Sequence, residues 1–123
     1  MNMNKFTQRS LEALQSAQAL AIEHNQQQVD QQHLLSALLN QENSLIAQLL
    51  RRMGVDAGFE AALQKELAKI PSVTGGGREA DKVYITPQMD KALTAAEKQA
   101  ERMKDDYISV EHLFLGLLDA PNE

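Results

Sequence analysis

From Thr7 to about His24, small and apolar residues recur at helical spacing, with Ala13, Leu14, Ala17 and Ala21 stacked along one face. Thr7 stands just ahead of this stripe, where its hydroxyl oxygen can accept a backbone N–H of the first turn. Asn25 to Gln28 are polar and read as a connecting loop. Asp30 suits the cap of a second helix, whose pairs Leu34/Leu35 and Leu38/Leu39 repeat four residues apart. A break at Asn40–Asn43 and a cap at Ser44 introduce a short third helix carrying Leu45, Leu49, Leu50 and Met53. Gly54 ends it, because glycine takes the left-handed conformation at low cost. Asp56 caps a fourth helix, with Phe59, Leu63, Leu67 and Ile70 on one stripe and Pro71 as its stop.

Past Pro71 the apolar period disappears. Residues 72–83, with Gly75, Gly76 and Gly77, read as a glycine-rich linker. An extended piece, Val83 to Ile85, leads into Thr86 and Pro87, a cap followed by a proline whose missing N–H costs nothing at the first helical position. The fifth helix runs to about Met103, and Lys104–Asp106 form a polar turn. Ser109 caps a sixth helix carrying Leu113, Phe114, Leu117 and Leu118, stopped by Pro121.

A shift of 79 residues lays Phe6–Asn40 on Ile85–Asp119 without a gap. Nine of the thirty-five aligned positions are identical: Thr7/Thr86, Ala13/Ala92, Leu14/Leu93, Ala17/Ala96, Ala21/Ala100, His33/His112, Leu34/Leu113, Leu38/Leu117 and Leu39/Leu118. These are the caps and apolar faces that decide how two helices pack, so the chain is an internal duplication. Residues 1–71 make a four-helix first repeat, and residues 84–123 hold the first two helices of a second. The second repeat is expected to be truncated at residue 123, its remaining helices cut away.

Composition narrows the class. At 123 residues the chain has room for about one domain, and 43% apolar residues are enough for a core. Abundant Ala and Leu, with only three Phe, two Tyr and no Trp, favour an all-α domain of closely approaching helices. Twelve Lys plus Arg against seventeen Asp plus Glu leave a net charge of -5, which argues against nucleic acid as partner. The absence of cysteine removes disulfides, thiolate nucleophiles and Cys-based zinc sites. Met1 to Gln8 carry no apolar leader, and no stretch approaches a membrane span.

Little catalytic chemistry is available. Thr74-Gly75-Gly76-Gly77-Arg78 lacks the spacing and the terminal Gly-Lys-Ser/Thr of a phosphate loop. His24, His33 and His112 have no metal-ligand spacing, and His33 and His112 occupy equivalent helix starts, where packing is the plain reading. No nucleophile elbow accompanies the serines. Neither an enzyme active site nor a metal site is expected. What remains suits binding. Thr7 and Thr86 sit at equivalent helix starts, Gln32 and Glu111 at equivalent first turns, and Asp105 and Asp106 ahead of the sixth helix. For any one of these taken alone, a cap or a solvated charge is the plainer reading. Apolar grooves between the two copies, with acidic edges, would suit extended and partly basic polypeptide.

Phe6-Thr7 with Gln32-His33-Leu34-Leu35-Ser36-Ala37-Leu38-Leu39 in the first copy carry a family resemblance. In the second copy Tyr84-Ile85-Thr86-Pro87, Lys91-Ala92-Leu93 and the run Lys104 to Leu113 carry it, as does the bridge Ile70 to Gly76. Together they resemble the duplicated N-terminal domain of the Clp/Hsp100 AAA+ family, closest to its protein-disaggregase members. The resemblance implies a cytoplasmic hexamer that uses ATP and magnesium in other domains to thread aggregated polypeptide through a pore. It implies partnership with a DnaK-type chaperone system through a middle domain absent from these residues. The domain itself would bind unfolded or aggregated polypeptide, hold no cofactor and meet neither nucleic acid nor membrane. The residues this implies for substrate handling are Thr7, Asp105 and Glu111, with Thr86 the counterpart of Thr7. The protease-partner branch shares the fold, and some of its members bind phosphorylated arginine through a Thr and a Glu of each copy. This chain keeps Thr7, Thr86 and Glu111 but has Gln32 in the first copy. A free-standing Clp-repeat regulator is the third possibility.

Overall fold

The computed structural model describes residues 3–55, 58–71 and 84–120. A single 3-10 turn at Met3–Lys5 precedes α1 (Gln8–Glu23), β1 (Gln28–Val29), α2 (Gln31–Leu39), α3 (Leu45–Arg52) and α4 (Gly58–Lys69). Then come β2 (Tyr84–Ile85), α5 (Pro87–Arg102) and α6 (Val110–Asp119). Among the described residues the fold is all-α apart from two short strands. The expected caps at Thr7, Ser44 and Thr86 each accept a first-turn backbone N–H, and Gly54 takes a φ of 84°. Asp56, the glycine-rich segment 72–83, Val83 and Pro121 lie outside the described residues.

The two copies interlock rather than sit side by side. Val29 of the first copy pairs in parallel with Ile85 of the second, and Phe6 of the first pairs in parallel with Ile108 of the second. Under the 79-residue shift Phe6 matches Ile85 and Val29 matches Ile108, so the two pairings are one contact made twice with the partners exchanged. Such reciprocity is what a two-fold relation produces. Gln28, read from sequence as loop, is drawn into this pairing because its neighbour Val29 is buried beneath it.

The core follows the duplicated stripes. Ala13, Ala17 and Ala21 of α1 and Ala92, Ala96 and Ala100 of α5 are buried, as are Leu34, Leu38, Leu113 and Leu117. The second pair packs more tightly. Ala37 of α2 is replaced in α6 by Gly116, where an added Cβ would lie 2.4 Å from the Ala92 carbonyl oxygen and 2.8 Å from the Ala96 nitrogen. Glycine is needed there for backbone proximity.

Two stripes differ from expectation. On α3 the buried positions are Ile46 and Leu50, while Leu45, Leu49 and Met53 face solvent. Phe59 at the start of α4 is also exposed, whereas Leu63, Leu67 and Ile70 are buried. Each helix has more apolar residues than its single packed side can cover.

Candidate functional site

The two conserved-in-duplicate histidines hold the starts of α2 and α6. His33 Nδ1 accepts the backbone N–H of Asp30 at 2.9 Å, and His112 Nδ1 accepts that of Ser109 at 2.9 Å. A backbone donor at Nδ1 leaves the ring proton on Nε2. His33 donates it to Gln26 Oε1 at 2.6 Å, and His112 donates it to Asp105 Oδ2 at 2.8 Å. Gln26 and Asp105 are themselves equivalent under the 79-residue shift. Both follow residues in the left-handed region, Asn25 at φ 58° and Lys104 at φ 60°, so the two turns share one backbone path. They differ in what they do next. Gln26 passes its amide hydrogens to the carbonyls of Leu67 and Ile70, anchoring the end of α4. Asp105 has only acceptors, and its side chain is 46% exposed.

Burial lowers the His33 pKa below its ordinary value, and the nearby Asp30 carboxylate offsets part of that.

The strand exchange decides where the candidate threonines lie. The Thr7 backbone N–H donates to the Ile108 carbonyl at 3.0 Å, which sets the start of α1 against the start of α6. Ser10, wholly buried, ties the same junction by donating its hydroxyl toward Thr7 and Ile108 carbonyls at 2.9 and 2.8 Å. Glu111 is exposed in the first turn of that same α6. Thr7, Asp105 and Glu111 therefore gather around one junction. Thr86 is placed at the other, against α2. It is buried, its hydroxyl donating to Asp30 Oδ1 at 2.8 Å while its oxygen accepts the Met89 N–H at 3.0 Å. Gln32 takes the position of Glu111 there.

Between α1 and α5 runs a groove of about 410 Å³. Leu11 and Leu14 form one wall, Ile85, Met89 and Leu93 the other, and Phe6 and Val29 the floor. Gln15, Gln18 and Asp90 are its polar members. A cavity of this size and lining accommodates several apolar side chains. Sequence reading assigned Leu14 and Leu93 to the core stripe and passed over Leu11, Met89 and Asp90. The available signal was a second apolar line beside the alanine stripe, one position round each helix.

Among the described residues no cluster of His, Asp or Glu could hold a metal ion, and no helix is long and apolar enough to cross a membrane.

Comparison with known proteins adds to this geometry. A family model described as the Clp repeat (R) N-terminal domain matches residues 5–123. The chaperone protein ClpB of Bacillus anthracis is 42% identical over 120 residues, covering 97% of this chain and 14% of the relative. ClpB of Nitratidesulfovibrio vulgaris is 40% identical over 122 residues, covering 98% of this chain and 14% of the relative. The chain thus spans about 14% of the length of the curated relatives it matches. Among solved structures, the Hsp104 N-terminal domain from Candida albicans superposes with a TM-score of 0.82 at 27% identity, covering 94% of this chain and 75% of that one.

Proposed function

The chain belongs to the Clp repeat N-terminal domain family, and from that premise we propose that it docks unfolded or aggregated polypeptide for a protein disaggregase related to ClpB. The observation that carries the reading is the apolar groove between the two copies. An extended segment with exposed apolar side chains loses water-contacting surface by lying in it, which native surfaces cannot do. Thr7, Asp105 and Glu111, grouped at the α1–α6 junction, add a polar and acidic contact for a segment leaving the groove. Thr86, the counterpart of Thr7, supports the second wall by accepting the Met89 N–H and belongs to the proposed site at the other junction.

Within a larger protein the domain works by tethering. Modest affinity raises the local concentration of substrate near a threading pore, and fast release lets translocation proceed. ATP and magnesium, the hexamer, and a DnaK-type partner belong to this proposal as properties of the remaining domains, and a cytoplasmic location goes with them. The domain itself acts without turnover.

The protease-partner reading rests on the Thr7 and Glu111 junction. At the Thr86 junction the hydroxyl is already engaged by the Asp30 carboxylate, and Gln32 stands in the place of Glu111.

An amide chemical-shift titration with a permanently unfolded, apolar-rich polypeptide, and separately with phosphoarginine, tests the proposal. Shifts along Leu11, Leu14, Met89 and Leu93 with the polypeptide alone are expected. A response only to phosphoarginine, centred on Thr7 and Glu111, would transfer the domain to the protease-partner branch. Silence with both would leave a regulator or spacer.

A further inference from the structure

The groove is built by the two-fold relation, and that relation has a consequence for the direction in which a chain lies in it. Six of its ten lining residues are matched positions of the two copies, Phe6 with Ile85, Leu14 with Leu93, and Leu11 with Asp90, while Gln15 and Gln18 of α1 line it without their α5 counterparts Thr94 and Glu97. The reciprocal pairing of Val29 with Ile85 and of Phe6 with Ile108 shows that the copies are exchanged across the groove. A site with two-fold symmetry presents the same surface to a chain running in either direction. Two of the three matched pairs are apolar on both sides and keep that equivalence. The third breaks it in charge: Leu11 is apolar, and Asp90, on the opposite side of the axis, is an exposed carboxylate. Among the described residues lining the groove, Asp90 is the one that carries charge.

We infer that Asp90 is the orientation-determining residue of the groove, which accepts apolar segments in both chain directions and selects one when a basic residue flanks the segment. The occupant is an extended peptide with an apolar run and a Lys or Arg at one end, its cation beside Asp90. The inference rests on the docking reading above and adds direction to it. Its effect is modest by nature, because Asp90 is exposed: an open charge pair shifts the balance of two orientations by about two- to fivefold.

Two blocked peptides of Leu, Val and Ser test this on the intact chain, one with a single Lys at its N-terminal end and one at its C-terminal end. Each carries a nitroxide at the end away from the Lys, and broadening of backbone amides is read on both sides of the groove. The expected result is stronger broadening near Leu11 than near Asp90 for both peptides, which therefore lie in opposite directions. Asp90→Leu should equalise the two sides, and Asp90→Lys should restore the bias for peptides carrying Glu in place of Lys. Asp90→Asn, which alters charge with least change of shape, should also equalise them. One fixed direction for both peptides, or a bias that survives in Asp90→Leu and Asp90→Asn, would overturn the inference while leaving docking intact. Absence of broadening anywhere along the groove would overturn docking and the inference together.

Discussion

His112 donates its Nε2 proton to Asp105, seven residues earlier, at 2.8 Å, while its Nδ1 closes the start of its own helix. Asp105 thus has a structural duty as well as a proposed place at the substrate-handling junction. Asp105→Ala leaves the nearly buried imidazole without its acceptor and should cost about 1–2 kcal/mol of stability. Asp105→Asn keeps an acceptor oxygen and should cost well under half of that. Urea denaturation of the two variants separates the roles. If Asp105→Asn binds unfolded polypeptide as weakly as Asp105→Ala does, the charge itself is what the substrate meets.

Thr7 calls for the same separation. Its side chain accepts the Ser10 N–H at 3.2 Å, so Thr7→Ala should lose a cap worth about 1 kcal/mol. Thr7→Ser keeps the cap and should restore the melting temperature. Polypeptide affinity should fall in Thr7→Ala and return in Thr7→Ser, and Glu111→Gln should weaken binding with little effect on folding. Equal affinities in Thr7→Ala, Glu111→Gln and the parent chain would remove the α1–α6 junction from the proposed site.

Stability should depend on pH through His33. Its folded pKa lies below the ordinary 6.5 because burial disfavours the cation, so below that pH the unfolded chain binds more protons than the folded one. The neutral ring's contribution is complete above the unfolded value and declines as pH falls through 6.5 toward the folded value. The slope in that window is bounded by about 1.4 kcal/mol per pH unit for this one group. Protonation at Nδ1 would also break the bond from the Asp30 N–H. Denaturation midpoints between neutral and mildly acidic pH should show a steeper decline for the parent chain than for His33→Gln. Parallel curves would mean that His33 is not the group responsible.

Gly116→Ala places a methyl group within 3 Å of two backbone atoms of α5, which cannot retreat as a side chain could. Overpacking of this kind should cost about 1–3 kcal/mol. The equivalent first-repeat position already holds Ala37, so Ala37→Gly should cost only about 1 kcal/mol, mainly from helix propensity and lost burial. Thermal melts of the two variants would show whether the α5–α6 pair is the tighter of the two; a Gly116→Ala variant with an unchanged melt would contradict that.

The caps and the alanine and leucine stripes were legible in the chain because they depend on short-range physics. A Thr or Asp bonds to an N–H two or three residues away, and residues three and four apart share a helix face whatever surrounds them. The duplication, and with it the equivalence of His33 and His112, was legible for the same reason, since it is written in local spacing. Partners distant in sequence were not. Nothing near Val29 announces Ile85, and nothing near Phe6 announces Ile108, because strand pairs of two residues carry almost no pattern of their own. That exchange brings Thr7 to α6 and Thr86 to Asp30 and opens the groove between Leu14 and Leu93. It also decides that Leu45 and Leu49 stay in water while Ile46 and Leu50 do not, because burial depends on which side of a helix meets a neighbour. Local sequence determines which helices form and where they stop; the pairing of the two copies, a matter of contacts up to about a hundred residues apart, decides what surface they make together.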